Sequence, residues 1–244
     1  MEHVTVKDLV LGSGGVLVSG RAEAPVSHIR LDSRQVEPGD LFVPLLGERV
    51  DSHRFLPQVM SQGAAAVLTS QELTLPEDGD GCAVIRVEDT KKALQKIGSY
   101  LRDRLTLPLV GVTGSVGKTT TREMIAAALS ARFRVYKTPG NSNSQVGVPV
   151  TLSEITENDQ VGVIELGMSE PGEMTVIAKI ARVDMAVITN IGITHIGQLG
   201  SQENILREKL HITDGMKDGG LLILNGDDPL LKNVRGREGL RTVY

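Results

Sequence analysis

The 244-residue chain has no tryptophan, three tyrosines, three phenylalanines and one cysteine. A single thiol, Cys82, can close no internal disulfide and has no companion for a metal site. A reducing, cytoplasmic setting is therefore the simplest expectation, with Cys82 as ordinary core. With aromatics at 2% and hydrophobic residues at 40%, the interior must be filled by Val, Ile, Leu and Ala, as in sheets covered on both faces by helices. Cationic excess is missing too. The 26 Lys and Arg stand against 30 Asp and Glu, and a net charge of -4 offers no footprint for a nucleic-acid backbone. The start Met1-Glu-His-Val-Thr-Val-Lys-Asp8 is charged throughout and no apolar run approaches the roughly 20 residues that a membrane helix needs, so a soluble chain with no membrane insertion is expected. Internal repeats are absent as well. The one biased stretch, Pro76-Glu-Asp-Gly-Asp-Gly81, reads as a solvated loop.

What is present divides in two. The first part has short elements: an apolar run Leu41-Phe-Val-Pro-Leu-Leu46 after the turn Glu37-Pro-Gly-Asp40, a helical stretch through Phe55 and Val59 ending near Gly63, and strand candidates Ala65–Leu68 and Ala83–Val87. A helix follows whose Leu94, Ile97 and Leu101 share one face, capped by Asp89 or Thr90. The charged tail Arg102-Asp-Arg104, ending at Pro108, marks a boundary. The fold class is therefore α/β, with a small mixed domain over residues 1–107 and a second domain over 108–244. In the second domain, apolar strands alternate with polar loops and helices: Leu109–Val112, Val161–Ile164, Met185–Thr189 and Leu221–Leu224. This pattern predicts a parallel sheet with helical crossovers, whose ligands gather at the carboxyl ends of the strands. Thr113, Glu165, Asn190 and Asn225 stand at those ends. Polar residues also follow strands simply because loops are polar.

The strongest motif is Gly111-Val-Thr-Gly-Ser-Val-Gly-Lys-Thr119, which follows a strand and opens a helix read through Met124, Ile125, Ala128 and Leu129. Glycines let backbone N–H groups turn onto phosphate oxygens at a helix N-terminus, a lysine such as Lys118 reaches the terminal phosphates, and the Thr119 hydroxyl can hold Mg²⁺. Lys118 is expected to touch the ligand alone. The strict pattern wants glycine at Val112, whereas this chain supplies Gly111 and Gly114; the variant points away from common GTPases and toward ligases. No Asn-Lys-x-Asp guanine signature is present.

Glu165 closes an apolar strand and is placed like a carboxylate that holds Mg²⁺ directly or through water, although a strand-end acid facing solvent is the plainer alternative. His195, in Thr189-Asn-Ile-Gly-Ile-Thr-His195, is either a metal or phosphate contact or a loop bystander. Lys209 lies in a helix of mixed charge over residues 203–212, and its composition reads as a solvated face. Gly140-Asn-Ser-Asn-Ser144 is turn chemistry whose amides equally suit a polar substrate.

Taken together, the residues resemble the Mur ligase family over essentially the whole chain. In the first domain the landmarks are Leu31-Asp-Ser-Arg34, Pro38-Gly-Asp-Leu-Phe42, Gly47, Asp51-Ser-His53 and Gly63-Ala-Ala-Ala66. In the second, Thr113-Gly-Ser-Val-Gly-Lys-Thr-Thr120 resembles the ATP loop. Thr138-Pro-Gly-Asn-Ser-Asn143, Val146-Gly-Val-Pro149, Glu165-Leu-Gly-Met168 and Pro171-Gly-Glu173 resemble the member that adds D-alanyl-D-alanine more than the sister that adds the third residue.

The resemblance implies a reaction in which ATP phosphorylates the terminal carboxylate of UDP-MurNAc-tripeptide and the amine of D-alanyl-D-alanine then displaces phosphate. It implies that Gly114, Ser115, Val116, Gly117, Lys118, Thr119, Thr120 and Asn190 meet ATP. It places Thr119 and Glu165 on Mg²⁺, with His195 and a carbamylated Lys209 serving a second metal or orienting the first. Asn141 and Asn143 would meet the substrate, and Ser33 and Arg34 the uridine diphosphate. A free ammonium at Lys209 would repel Mg²⁺, whereas a carbamate offers hard oxygens. Two departures are modest: Ile196-Gly197 follows the histidine where the family often has an acid, and Asp51-Ser-His53 has Ser where Gly is usual. Family members also carry a C-terminal domain that helps bind adenosine and the amine substrate. The expectation is accordingly an incomplete second domain with no strand after Asn225-Gly-Asp-Asp-Pro229, no third domain, weak ATP binding, and no amide formation by this chain alone.

Overall fold

A computed structural model describes residues 1–47, 50–72 and 81–244. Pro76 to Asp80 of the acidic loop lie outside the described residues. The chain forms two compact units, Met1–Leu101 and Arg102–Tyr244.

The first unit begins with α1 (Val6–Ser13). Its start is set by a reciprocal capping box in which Thr5 N–H donates to Asp8 Oδ2 at 2.8 Å, and its end by Gly14 in the left-handed conformation. Then come β1 (Val16–Ser19), β2 (Ile29–Arg30), β3 (Leu41–Phe42), α2 (Leu56–Ser61), β4 (Ala66–Thr69), β5 (Ala83–Arg86) and α3 (Thr90–Arg104). The sheet runs β1-β5-β4-β3-β2, parallel except for β1. The apolar run at 41–46 yields only a two-residue strand. Pro44 has no N–H to give a ladder, and Leu46 is 78% exposed. Asp89 caps α3 by accepting from Lys92 N–H at 2.9 Å, and Leu94, Ile97 and Leu101 are buried along it.

The second unit contains β6 (Leu109–Thr113), α4 (Lys118–Ser130), β7 (Val135–Lys137), α5 (Gly147–Ser153), β8 (Val161–Glu165), α6 (Glu173–Ala181), β9 (Met185–Ile188), α7 (Ile196–Leu199), α8 (Gln202–Leu210), β10 (Leu221–Leu224) and β11 (Arg241–Val243). All six strands are parallel, in the order β11-β10-β9-β6-β8-β7. Strand β11 extends the sheet past Pro229, where no strand was expected. Its Arg-Thr-Val is too short and too polar to announce itself. From β6 the chain passes to β7 and back to β8 on one side, then crosses to β9 on the other, so the carboxyl end of β6 is a switch point of the kind where α/β sheets bind ligands.

Alternate residues of the strands feed two cores. Leu109, Ile164, Ala186, Ile188, Leu222 and Leu224 pack with residues of α5, α6 and α8, while Val110, Val112, Val161 and Val163 pack under Ala126 of α4. Helix α4 is the helix expected after the loop, and only two of the four apolar residues it was read through pack toward the core. Met124 is 68% exposed and Ala128 is exposed, whereas Arg122 and Ala126 are buried and Ile125 and Leu129 flank them. Two overlapping i, i+4 apolar pairs made the pattern ambiguous, and the site below decides it by drawing Arg122 inward. Among the described residues no helix is long and apolar enough to cross a membrane.

Candidate functional site

The phosphate loop joins the carboxyl end of β6 to the N-terminus of α4. Gly114 has φ of 151° and Gly117, which caps α4, has φ of 78°. Both conformations are costly for residues with a Cβ. At Gly114 space is lacking too, because a Cβ would lie 1.9 Å from Thr189 Oγ1. That hydroxyl donates to Val116 O at 2.6 Å. Gly114→Ala is therefore expected to displace Thr189 and the loop together, lowering thermal stability by about 1–3 kcal/mol. Nucleotide affinity should fall at least tenfold. Differential scanning fluorimetry and titration calorimetry read both, and an unchanged pair of values would mean that the loop is shaped otherwise.

Asn190 is part of the loop's frame. Its Oδ1 accepts from Val116 N–H at 3.0 Å, its backbone carbonyl from Ser115 N–H at 3.1 Å, and Ser115 Oγ accepts from Gly192 N–H at 2.8 Å. Thr120 is exposed on the first turn of α4, and Asn225 ties two strand ends by donating from Nδ2 to Thr189 O at 3.0 Å. The Thr113 hydroxyl is buried at the loop's entrance with no hydrogen-bond partner among the described residues. Lys118 does more than wait for a ligand. Its Nζ donates to Gly114 O at 2.9 Å, bracing the loop from within, and burial lowers its pKa while Glu165 pulls the other way.

Glu165, at the end of β8, is 1% exposed, which excludes the reading as a solvated strand-end acid. Its Oε2 accepts from Thr119 Oγ1 at 3.0 Å and from Arg122 Nη1 at 3.1 Å, and its Oε1 from Asn143 Nδ2 at 2.8 Å. Asn143 also donates to Asn141 Oδ1 at 2.7 Å, so the turn at 140–144 is joined to the strand-end carboxylate. Thr119, Glu165, Asn143 and Asn141 are thus brought together. Arg122 and Thr138, whose hydroxyl accepts from Glu165 N–H at 2.9 Å, escaped the sequence reading. Arg122 stands one helical turn after Thr119, and that spacing was the available signal.

Lys209 overturns its reading as a solvated residue. Helix α8 carries it inward, its side chain is 2% exposed, and burial followed by repulsion from Lys118 lowers its pKa to about 8, against an opposing pull from Glu208. Glu208 is itself occupied, accepting from Met174 N–H at 3.0 Å. His195 has φ of 64°, the left-handed region that few non-glycine residues occupy, and is half-buried at the start of α7. Among the described residues no three His, Cys, Asp or Glu side chains form a metal-holding group.

In the first unit, Ser33 is buried and Arg34 is exposed, its guanidinium reaching Asp32 at 2.6 and 2.9 Å and holding that carboxyl at about 2. Both follow β2. At the carboxyl end of the parallel strand β4, Ser70 N–H donates to His53 Nε2 at 3.2 Å, so Nδ1 carries the proton and donates to Asp51 at 2.6 Å. Cys82 is half-buried, and burial pushes its thiol up to about 12.

Residues 112–244 match the family described as Mur ligase middle domain, and residues 25–101 match that described as Mur ligase family, catalytic domain. The chain is 44% identical over 231 residues to the UDP-N-acetylmuramoyl-tripeptide--D-alanyl-D-alanine ligase of Bacillus subtilis, covering 94% of this chain and 50% of that one. A crystal structure of MurF from Acinetobacter baumannii superposes with a TM-score of 0.87 at 32% identity, over 98% of this chain and 52% of that one. The MurF ligase of Thermotoga maritima in complex with ADP superposes with a TM-score of 0.79 at 31% identity, over 89% and 50%. The chain spans about half the length of the curated relatives it matches.

Proposed function

The chain belongs to the Mur ligase family, and from that premise we propose that it carries the nucleotide- and UDP-sugar-handling parts of an ATP-dependent ligase joining D-alanyl-D-alanine to UDP-MurNAc-tripeptide. The observation that carries this reading is the phosphate loop with the Thr119 hydroxyl 3.0 Å from the buried Glu165. The ligase name of the 44% identical relative supports the choice of substrates.

In the proposed reaction a peptide carboxylate oxygen attacks the γ-phosphorus of ATP and ADP departs. The amine of D-alanyl-D-alanine then attacks the acyl carbon, phosphate leaves, and an amide remains. Such chemistry is mostly management of charge. Lys118 would exchange Gly114 O for phosphate oxygens and N–H groups at the start of α4 would join it, while Asn190 keeps its hold on Ser115 and Val116. A hydroxyl and a carboxylate side by side suit Mg²⁺, a hard cation that takes few protein oxygens beside phosphates and water. When bound it would draw charge from the transferring phosphoryl group.

Lys209 suits carbamylation. An amine with a pKa near 8 is partly neutral at physiological pH and so nucleophilic toward CO₂, and the product would replace a repulsion with Lys118 by an attraction. His195 would meet the same metal region, Asn141 the peptide, and Ser33 and Arg34 the uridine diphosphate. A cytoplasmic setting accords with the one unpaired thiol.

Thermal shift discriminates between the sisters. UDP-MurNAc-tripeptide at about one hundred times its Kd is expected to stabilise the chain by about 2.7 kcal/mol. UDP-MurNAc-dipeptide at the same concentration should do distinctly less. The reverse order would assign the chain to the sister that adds the third residue, and no shift with either would remove the UDP-sugar reading.

A further inference from the structure

The buried guanidinium of Arg122 lies where three parts of the second unit meet. It is 4% exposed. Its Nη1 donates to Glu165 Oε2 at 3.1 Å, at the end of β8, and to Gly140 O at 2.9 Å, in the turn that carries Asn141 and Asn143. Its Nη2 donates to Glu123 Oε1 at 2.7 Å, and Glu123 in turn pairs with Lys137 of β7. Arg122 itself sits on α4, one turn after Thr119. One planar group therefore joins the helix of the phosphate loop, the strand-end carboxylate and the asparagine turn.

The geometry around Glu165 shows what this bridge does. The carboxylate has two oxygens and three side-chain donors: Asn143 on Oε1, and Thr119 with Arg122 on Oε2. Thr119 must turn its hydroxyl lone pair to a cation if it is to serve as a ligand, which withdraws its hydrogen bond from Glu165. Arg122 has no such second task. It remains to fix the rotamer of Oε2, and the fork geometry of a guanidinium lets it do so while gripping Gly140 with the same nitrogen.

We propose that Arg122 is a positioning residue: it presents Glu165 to the Mg²⁺ of bound nucleotide and locks the Gly140–Asn143 turn to that carboxylate, so that metal-nucleotide binding and the shape of the substrate turn are coupled through one side chain. This rests on the ATP reading given above. It requires that Arg122 contribute to the metal-dependent part of nucleotide affinity and hardly at all to the metal-independent part, because its guanidinium donates to Glu165, Gly140 and Glu123 and, among the described residues, to none of the loop from Gly114 to Lys118.

The test is titration of the purified chain with ATP, with Mg²⁺ and with EDTA in its place. In Arg122→Lys, which keeps the charge but loses the fork, the enhancement of affinity by Mg²⁺ should drop at least tenfold while affinity in EDTA stays within about twofold of the parent. In a Glu165→Gln background, the same Arg122→Lys change should alter the Mg²⁺ enhancement no further, since the residue it acts through is gone. Circular dichroism melts accompany each titration. Should Arg122→Lys fail to fold, Arg122→Gln in the Glu165→Gln background, where no buried charge is stranded, is compared with Glu165→Gln alone and is expected to show the same Mg²⁺ enhancement. Full retention of the Mg²⁺ enhancement in folded Arg122→Lys, or a further loss on top of Glu165→Gln in either double variant, would overturn the proposal. A parent chain that binds no ATP under either condition would instead remove the ATP reading and this inference with it, a result distinct from the others because it appears before any variant is made.

Discussion

Lys118→Ala is expected to lower the affinity of the chain for ATP about a hundredfold, the size of losing two charge-assisted hydrogen bonds of about 1.5–3 kcal/mol each with partial replacement by water. The effect on folding should be small. Removing Nζ leaves Gly114 O without its 2.9 Å donor, but it also removes the cation that repels Lys209. These changes oppose each other, so the melting temperature should move by no more than about 3 °C. Titration calorimetry with a melt of the same sample measures both. Unchanged ATP affinity would sink the assignment of this loop to phosphate.

Lys209→Met should act in the opposite sense, gaining stability at a position whose native residue is costly to bury. An ammonium 2% exposed and beside Lys118 has its pKa lowered from 10.5 to about 8. Relative to the unfolded chain this disfavours the folded state by about 3 kcal/mol below pH 8. Folding releases a proton between pH 8 and 10.5, so the parent gains stability as pH rises through that window, and at lower pH the full penalty stands. Methionine fills a similar volume without charge. In CO₂-free buffer at pH 7 the variant should melt higher by roughly 3–10 °C. The difference from the parent should shrink toward pH 10.5. Comparing parent and variant at each pH cancels the other titrating groups. A variant that melts no higher than the parent at pH 7 would show that Lys209 is better satisfied than its burial indicates. A gain in stability coupled to loss of ligase function in a complete enzyme is the expected trade at a site built around a strained charge.

The parallel sheet was legible because β6 and β8 are short Val/Ile-rich runs buried on both faces, and a run of that kind has few other uses. The loop was legible because its chemistry is carried by contiguous residues: glycine for φ, lysine for charge, threonine for a hydroxyl. Glu165 could be placed at a strand end, though not yet given partners. Lys209 was not legible. The letters Gln-Glu-Asn-Ile-Leu-Arg-Glu-Lys-Leu describe a helix of mixed charge, and which face of α8 turns inward depends on residues of α6 and on the sheet beneath them, none of them neighbours in sequence. Arg122 was missed for a related reason. In helical periodicity a buried arginine resembles an exposed one, and the partners that draw it inward, the Glu165 carboxylate 43 residues away and Gly140 O, are distant in sequence.

The sequence by itself determined the class of fold, four of the six parallel strands of the second unit, and the position of the phosphate loop, because each depends on local propensity, alternation or glycine stereochemistry over fewer than about ten residues. Tertiary structure alone decided that Glu165 is held by Thr119, Arg122 and Asn143 at once, that Lys209 is desolvated beside Lys118, and that β11 extends the sheet. Those features are interactions between segments brought together by packing. Their energy comes from loss of water around charges, and water is lost only where the whole sheet and its helices close over the group.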